Sequence, residues 1–418
     1  MADDHHTLTA YAERLLRLGA GTLIGAENSP YFLPLDEARI AAAEAGKRFV
    51  SFANYDYLGL SHHPDITRAV EDALHRFGTG ALASRIVGGE RSIHRALERE
   101  LANFCGTEDT LAMVSGYLAN ASLLTHLLGP NDLLIIDELS HASIANGAKC
   151  SRARLEKFRH NDLEHLSEIL SDHRASHSHC LIVVEGLYSM DGDVPDLPRL
   201  LDIKEKHGAW LMIDEAHSHG VLGETGRGVC EHFGEDPDRV DLVIGTLSKA
   251  FISCGGFIAA KRKVIDLMRY ALPGFVFSVG MPPMVAAAAL KAVELAQSEA
   301  WRVKQLAERT EYFLSCAANA GFDTGTAIGR AVVPVLFRKS MATMAAAAEL
   351  MEAGIYAPPI VQLGVPKDLP RIRFFISADH SHEDIDLAIS VLARAAAPFI
   401  AKKQPSASVA ELADSTQS

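Results

Sequence analysis

The alternation of short apolar segments with helical patterns, which begins near residue 90, is the feature of this sequence that most constrains its fold. The apolar segments lie at 109–114, 132–136, 180–184, 210–213 and 242–244. Short, nearly continuous apolar strands that alternate with helices are typical of a mostly parallel sheet covered by helices on both faces. We therefore predict an α/β fold whose functional side chains lie in loops at the carboxyl ends of the strands.

The organisation of the chain changes near residue 295. Beyond it, the patterns predict helices at 296–320, at 340–353 and from Ser381 onward, and strands at 332–337 and 371–377. Before the alternating region they predict helices at 8–20 and 64–77 and a strand at 48–53. The predicted units are a helix and strand segment at 1–60, a large α/β domain at 61–295, a small α+β domain at 296–400 and a disordered tail at 401–418.

Charge and composition limit the classes of partner. The 418 residues carry a formal net charge of -13, and an acidic surface repels nucleic acid and anionic lipid. No apolar run approaches the roughly 18 to 20 residues that a membrane helix needs, and the acidic N-terminus lacks the pattern of a signal peptide. We therefore expect a cytoplasmic protein. The six scattered cysteines predict reduced, buried thiols rather than disulfides or a metal site.

Two apolar strands end in polar residues that together suit one cofactor. One strand runs through L-M-I into Asp214, and the other runs through L-V-I-G-T-L-S into Lys249, roughly 35 residues later, a gap that fits one helical crossover between neighbouring parallel strands. Pyridoxal phosphate (PLP) needs a carboxylate to keep its ring nitrogen protonated and a lysine amine to form a Schiff base with its aldehyde. We predict these roles for Asp214 and Lys249.

Other polar residues fit the same cofactor. Thr246 and Ser248 would offer hydroxyl groups to its phosphate, and His217 could reach the ring hydroxyl. The segment Ser115-Gly116-Tyr117 follows a strand and opens a helix, where backbone N–H groups bind anions. His141 and Ser189 follow the next two strands, and we predict that His141 stacks on the ring and that Ser189 lies near it.

At this point the motifs resemble those of the α-oxoamine synthases, a family of fold-type I PLP enzymes. The matching segments are N-Y-D-Y-L-G-L at 54–60, S-G-Y-L-A-N at 115–120, D-E-L-S-H-A-S at 137–143, V-E-G-L-Y-S-M-D-G at 184–192, D-E-A-H-S-H-G-V-L-G-E-T-G-R-G-V at 214–229, G-T-L-S-K-A-F at 245–251, C-G-G-F at 254–257 and R-I-R-F-F-I-S at 371–377. The resemblance covers roughly residues 30 to 398 and is strongest to the serine palmitoyltransferase branch.

The resemblance implies a decarboxylative condensation of an amino acid with an acyl thioester. The product would be an α-amino ketone, with release of carbon dioxide and the thiol. L-serine and a long-chain acyl-CoA are favoured, giving a product such as 3-ketodihydrosphingosine, and an acyl carrier protein is the alternative carrier. A sister enzyme that uses alanine or glycine, or an aminotransferase or aldolase outside the family, remains open.

The resemblance also implies residue roles. Lys249 would remove the Cα proton of the bound amino acid, His141 would stack on the ring and help orient the substrate, and Asp214 would hold the ring nitrogen. His217 and Ser189 would hold the ring hydroxyl. Arg373 would bind the substrate carboxylate. Ser278 matches a segment that reaches the phosphate of the partner subunit, which implies a homodimer with shared active sites.

Two departures from the family pattern affect predicted contacts. Asp56, beside Tyr55, stands where relatives commonly have Asn, and we expect both residues to contact substrate, with Asp56 near the thioester or a substrate amine. Val279 and Gly280 replace a more usual pair of small hydroxylated residues. That replacement predicts a weaker contact between Ser278 and the partner's phosphate.

Overall fold

The computed structural model describes residues 7–16, 31, 33, 35, 41–44, 47–361 and 369–396. The helices are α1 Leu8–Leu15, α2 Pro64–Phe77, α3 Ser92–Cys105, α4 Gly116–His126, α5 Ala142–Cys150, α6 Leu163–His173, α7 Leu197–His207, α8 Val229–Phe233, α9 Arg262–Ala271, α10 Pro273–Val276, α11 Pro283–Ser298, α12 Trp301–Asn319, α13 Ser340–Glu352 and α14 His382–Ala396. The strands are β1 Ala41–Glu44, β2 Lys47–Ser51, β3 Asp109–Met113, β4 Leu133–Asp137, β5 Arg154–Phe158, β6 Cys180–Glu185, β7 Trp210–Asp214, β8 Leu242–Thr246, β9 Gly256–Ala260, β10 Val332–Leu336, β11 Ile355–Tyr356, β12 Pro359–Ile360 and β13 Arg371–Phe375.

A central seven-stranded sheet, in the order β3-β9-β8-β7-β6-β4-β5, carries the fold. All neighbouring strands from β8 to β5 are parallel, whereas β9 runs antiparallel to both β3 and β8. The predicted mostly parallel sheet is therefore confirmed. Strands β4, β6 and β8 are buried along their whole length, which is why they read as continuous apolar runs.

Helices cover both faces of this sheet, as predicted. Alternate residues of one strand enter different apolar cores: Leu133 and Ile135 of β4 pack into one core, and Leu134 and Ile136 pack into the other. Successive side chains of a strand point to opposite faces, so each central strand is held from two sides. Full burial of one such side chain stabilises the fold by about 1.5–3 kcal/mol.

The C-terminal region forms a smaller antiparallel sheet in the order β10-β13-β12. The single helix predicted at 296–320 is wrong at its start, because α11 ends at Ser298 and α12 begins at Trp301, with Glu299 outside helical geometry (φ -118°, ψ 45°). Strand β2 pairs with β11, so the N-terminal strand packs against the C-terminal region. The domain boundaries near residues 60, 295 and 400 stay a proposal. Residues 17–20 of the first predicted helix and the predicted tail at 401–418 lie outside the described residues.

The cysteines are all free thiols, but they are not all buried as predicted. Cys105, Cys180 and Cys230 are buried, Cys316 is partly buried, and Cys150 and Cys254 are exposed. Cys150 is the last residue of α5, and Cys254 lies in the loop between β8 and β9, which the scattered spacing of the cysteines could not indicate. Among the described residues, no helix combines the length and the apolar character needed to cross a membrane.

Candidate active site

The carboxyl ends of the parallel strands meet at one cavity of about 240 Å³. The strand register aligns these ends, because Glu185 of β6 pairs with Asp214 of β7, and Asp214 pairs with Ile244 of β8. The lining includes the predicted residues Ser115, Gly116, Tyr117, His141, Asp214, His217, Thr246, Ser248 and Lys249. Residues far apart in the sequence thus come together at this edge of the sheet.

Asp214 is fixed by hydrogen bonds that leave it pointing into the cavity. The carboxylate is 5% exposed and accepts hydrogen bonds from the backbone N–H of Ala216 (3.0 Å) and from Nδ2 of Asn120 (2.7 Å). The same Asn120 amide donates to Ser143 Oγ at 3.0 Å. Asn120 was not among the predicted site residues. It lies on α4, and its position in the S-G-Y-L-A-N motif was the one available signal.

Lys249 follows β8 in a loop beside the same cavity. Burial lowers the pKa of its amine from 10.5 to about 8, although the carboxylates of Asp214 and Glu185 act in the opposite direction. The ammonium nitrogen lies 5.7 Å from the centre of the Tyr55 ring. A lysine with a pKa near 8 is partly neutral at physiological pH, so its amine can act as a nucleophile or a base.

This pKa predicts how the cofactor-free protein takes up PLP. Attack on an aldehyde needs the neutral amine, so we expect the uptake rate to rise as pH passes through about 8 and to level off above that value. Stopped-flow absorbance of the PLP band measures this rate. A rate that climbs without levelling toward pH 10 would indicate an unperturbed lysine and contradict the burial of Lys249.

The N-terminus of α4 and the β8 loop form a site suited to a phosphate. Ser115 caps α4 through a hydrogen bond from the Leu118 N–H, and the hydroxyls of Thr246 and Ser248 lie 2.9 Å apart. A Cβ on Gly116 would lie 3.2 Å from Thr246 Oγ1, so glycine keeps this space open. Helix N–H groups and hydroxyls bind phosphate well, so the residues present fit the phosphate of PLP.

His217 is held at the cavity by Tyr57. The Tyr57 hydroxyl and His217 Nδ1 lie 2.7 Å apart, and both side chains are buried. Burial, helped by the nearby charge of Lys249, lowers the pKa of His217 well below its usual value. The ring is therefore neutral and can donate or accept one hydrogen bond at a ligand. Tyr57 lies within the N-Y-D-Y motif but was not selected from the sequence.

Glu185 is a second buried carboxyl group that the sequence did not single out. It is 3% exposed, and its Oε1 accepts the backbone N–H of His141 at 2.6 Å. Burial and the adjacent Asp214 raise its pKa to about 8. Glu185 therefore fixes the backbone of His141, whose exposed ring borders the cavity.

Arg373 reaches this region from the C-terminal sheet. Its guanidinium donates to the Ser189 carbonyl at 2.7 Å and lies 4.3 Å from the Phe375 ring centre. The Phe375 ring is nearly parallel to the His217 ring, with 6.1 Å between the ring centres. It also packs edge-to-face with the Tyr55 ring, with 4.8 Å between the ring centres. Nε of Arg373 is buried without a hydrogen-bond partner, so the guanidinium keeps capacity for an anionic ligand.

Five predicted residues lie outside the cavity lining: Tyr55 and Arg373, described above, and Ser189, Ser278 and Asp56. Ser189 meets Arg373 through its backbone carbonyl rather than through its hydroxyl. Ser278 borders a separate small cavity with Arg85 and Gly274. The two carboxylate oxygens of Asp56 accept the backbone N–H groups of Leu60 (2.7 Å) and Ser61 (3.0 Å). Asp56 therefore shapes its own loop, and its contact with substrate stays a prediction.

Comparisons with known proteins agree with this fold. The sequence model of the aminotransferase class I and II family matches residues 47–392. The chain is 40% identical over 351 residues to an 8-amino-7-oxononanoate synthase of Geobacter sulfurreducens, which covers 84% of this chain and 89% of that protein. It is 36% identical over 365 residues to a serine palmitoyltransferase of Sphingobacterium spiritivorum, covering 87% and 91%. The solved structure of serine palmitoyltransferase from S. paucimobilis with PLP and myriocin bound matches with a TM-score of 0.89 at 28% identity, covering 94% and 99%.

Proposed function

Because this chain belongs to the aminotransferase class I and II family and, within it, to the α-oxoamine synthases, we propose that it condenses L-serine with a long-chain acyl-CoA. It is a PLP-dependent acyltransferase, as are its relatives. The bound cofactor supplies an electron sink for the negative charge that develops at the amino acid's Cα. The proposed products are carbon dioxide, free coenzyme A and an α-amino ketone such as 3-ketodihydrosphingosine.

The chain's own residues have four proposed tasks in this reaction. Arg373 binds the amino-acid carboxylate, and the fork geometry of its guanidinium fixes the direction of that group. Lys249, whose lowered pKa leaves a fraction of its amine neutral at physiological pH, takes the Cα proton onto Nζ. Asp214 keeps the ring nitrogen protonated, and Asn120 holds the Asp214 carboxylate in position.

The remaining residues hold the reactants in place. The ring of His141 would stack on the cofactor, and the Glu185 carboxyl group fixes His141 through its backbone. Neutral His217, whose Nδ1 is hydrogen-bonded to the Tyr57 hydroxyl, would hold the ring hydroxyl of the cofactor. Ser115, Gly116, Tyr117, Thr246 and Ser248 hold the phosphate. Such positioning keeps the reacting atoms aligned and accounts for a large part of catalysis.

The choice of L-serine rests on one observation. The described chain matches the S. paucimobilis serine palmitoyltransferase over 99% of that protein at a TM-score of 0.89. A second candidate is supported by a different observation, the 40% identity to an 8-amino-7-oxononanoate synthase. The name of that product implies alanine and an acyl chain that ends in a carboxylate, so the two candidates differ in both substrates.

Parallel assays separate the two candidates. The holoenzyme is incubated with L-serine, L-alanine or glycine, each with palmitoyl-CoA or with a carboxylate-ended acyl thioester, and the ketone and carbon dioxide are measured. We expect turnover to be highest with L-serine and palmitoyl-CoA. Preference for L-alanine and the carboxylate-ended chain would favour the second candidate. Amino transfer without carbon dioxide would contradict both. A comparison of turnover between acyl-CoA and the corresponding acyl carrier protein thioester identifies the preferred acyl carrier.

We further propose that the enzyme is a cytoplasmic homodimer in which Ser278 reaches the partner's phosphate. Large apolar side chains flank Ser278 at the surface: Phe277 is 85% exposed and Val279 is 55% exposed. Val279 pairs with Ser84, and the exposed Leu82 and Val87 lie within three residues of Ser84 in the sequence. Large exposed apolar side chains are typical of a protein interface when they cluster.

The substitution Phe277→Glu is expected to weaken this dimer, since it places a charge in the apolar contact. Sedimentation velocity would show a shift from dimer to monomer, and the PLP dissociation constant would rise by roughly tenfold because a shared phosphate contact is lost. Met341→Glu, at a similarly exposed position on α13 (78%), is the control and leaves both unchanged. An unaltered dimer in the Phe277 variant would rule out this face.

A further inference from the structure

His160 lies between two carboxylates outside the cavity described above. Its Nδ1 is 3.0 Å from an Asp137 carboxylate oxygen, and its Nε2 is 3.0 Å from Asp193 Oδ2. The Asp137 side chain is fully buried, and the His160 and Asp193 side chains are 18% and 10% exposed. The edge of the Tyr188 ring packs against the imidazole at 4.5 Å. We call this arrangement the His160 bridge.

The bridge carries a positive charge between its two carboxylates. Burial disfavours the charged ring, but the hydrogen bonds with Asp137 and Asp193 act against burial and raise the pKa of His160 to about 10. Charge-assisted hydrogen bonds of this kind are stronger and more directional than neutral ones. The ring therefore joins two acidic side chains that would otherwise repel each other.

One end of the bridge holds the loop that carries His141. Asp137 is the last residue of β4, and it also accepts the backbone N–H groups of Leu139 (2.8 Å) and Asn161 (3.0 Å). The chain then continues directly to His141, whose N–H is bound by Glu185. The conformation of this short loop thus depends on where the Asp137 carboxylate is held.

The other end holds the 186–193 loop, which meets the C-terminal sheet. The Asp193 carbonyl accepts the Tyr188 N–H at 2.9 Å, and Asp193 Oδ2 accepts the Thr326 hydroxyl at 2.9 Å. Two backbone carbonyls of this loop accept hydrogen bonds from arginines of the C-terminal sheet. Arg373 donates to the Ser189 carbonyl (2.7 Å), and Arg371 donates to the Met190 carbonyl (2.9 Å). The position of the Arg373 guanidinium is therefore tied to the position of Asp193.

We propose that His160 is a positioning residue, which sets the distance between the loop that carries His141 and the loop that holds Arg373. It touches neither cofactor nor substrate. It acts through Arg373, and the inference therefore rests on the proposed function, in which Arg373 binds the amino-acid carboxylate. Loss of the bridge would let the 186–193 loop shift, and a shift of about 1 Å in a binding group can cost on the order of a hundredfold.

The test compares two histidine variants. His160→Gln removes the imidazole charge between Asp137 and Asp193. His179→Gln is the matched control, because His179 and Asp132 also form a histidine–aspartate pair (2.8 Å), which lies at the amino ends of β4 and β6. For each holoenzyme, the dissociation constant of the preferred amino acid is measured from the saturable change in cofactor absorption. The PLP dissociation constant and the melting temperature are measured alongside it.

We expect the amino-acid dissociation constant to rise tenfold or more in His160→Gln and to stay within twofold in His179→Gln, while the PLP dissociation constant changes little in both. In the double variant His160→Gln/Arg373→Ala, binding should be no weaker than in Arg373→Ala alone, because one residue acts through the other. Unchanged amino-acid binding in His160→Gln, or full additivity with Arg373→Ala, would overturn the inference.

Two further outcomes are interpretable. If Arg373→Ala itself leaves amino-acid binding unchanged, the proposed carboxylate role fails, and the inference fails with it. If Arg373→Ala weakens binding but His160→Gln does not, the inference alone is wrong. Should His160→Gln fail to fold, Thr326→Val removes one hydrogen bond to Asp193 and takes its place. A rise of several-fold in the amino-acid dissociation constant supports the inference, and no rise contradicts it.

Discussion

The substitution Lys249→Ala is expected to lower turnover by about a thousandfold or more while the protein remains folded. The variant removes both the proposed covalent attachment and the proposed base, and each contributes roughly two to four orders of magnitude in comparable enzymes. Lys249 is a loop residue after β8 rather than a core side chain, so circular dichroism should be unchanged. Ketone formation with the preferred substrate pair is the activity to be measured.

Lys261→Ala is the matched control for this variant. Lys261 is the next lysine along the chain, and its side chain is half-exposed and paired with Asp238 at the surface. Exposed ion pairs of this kind contribute little to stability, so activity should be unaffected. Lys249→Ala protein that keeps a tenth or more of the original turnover would remove Lys249 from its proposed role.

The substitution Asp214→Asn is expected to lower turnover by about a hundredfold, because a neutral amide does not hold the proton on the ring nitrogen. A charge-assisted hydrogen bond contributes about 1.5–3 kcal/mol, which corresponds to roughly ten- to a hundredfold in binding or rate. The PLP dissociation constant should rise in parallel. Both quantities can be measured on the same preparation by absorbance titration and by the condensation assay.

Asp241→Asn provides the comparison for Asp214. Asp241 lies at the amino end of β8, away from the cavity. Its carboxylate accepts hydrogen bonds from the Lys204 amine (2.7 Å) and the Leu211 N–H (2.8 Å). This substitution is expected to lower stability with little change in PLP binding. Equal losses of PLP affinity in both variants would mean that Asp214 acts only through the fold.

The sequence predicted the residues that stand at the ends of apolar strands. Asp214 and Lys249 were found because a polar residue that follows a buried strand has a defined place at the sheet edge. Strand β5 was missed because its sequence, R-L-E-K-F, is mostly charged, as suits a strand at the edge of the sheet. The start of α12 was misplaced because the charged pattern continues across the break at Glu299.

The contacts between distant residues could not be predicted. Asn120 and Asp214 are separated by 94 positions, and Tyr57 and His217 by 160. Periodicity gives the face on which a side chain lies but not its partner. Periodicity also could not indicate that the Asp56 carboxylate accepts the backbone N–H groups of Leu60 and Ser61 within its own loop.

The most direct test of this account is to locate PLP on the chain. The holoenzyme is reduced with borohydride, digested with trypsin and analysed by mass spectrometry. Because trypsin does not cleave after a modified lysine, attachment at Lys249 predicts one labelled peptide that spans 240–261. A label on any other lysine, or no label on a protein that has bound PLP, would contradict the assignment of the cavity at the ends of β7 and β8 as the active site.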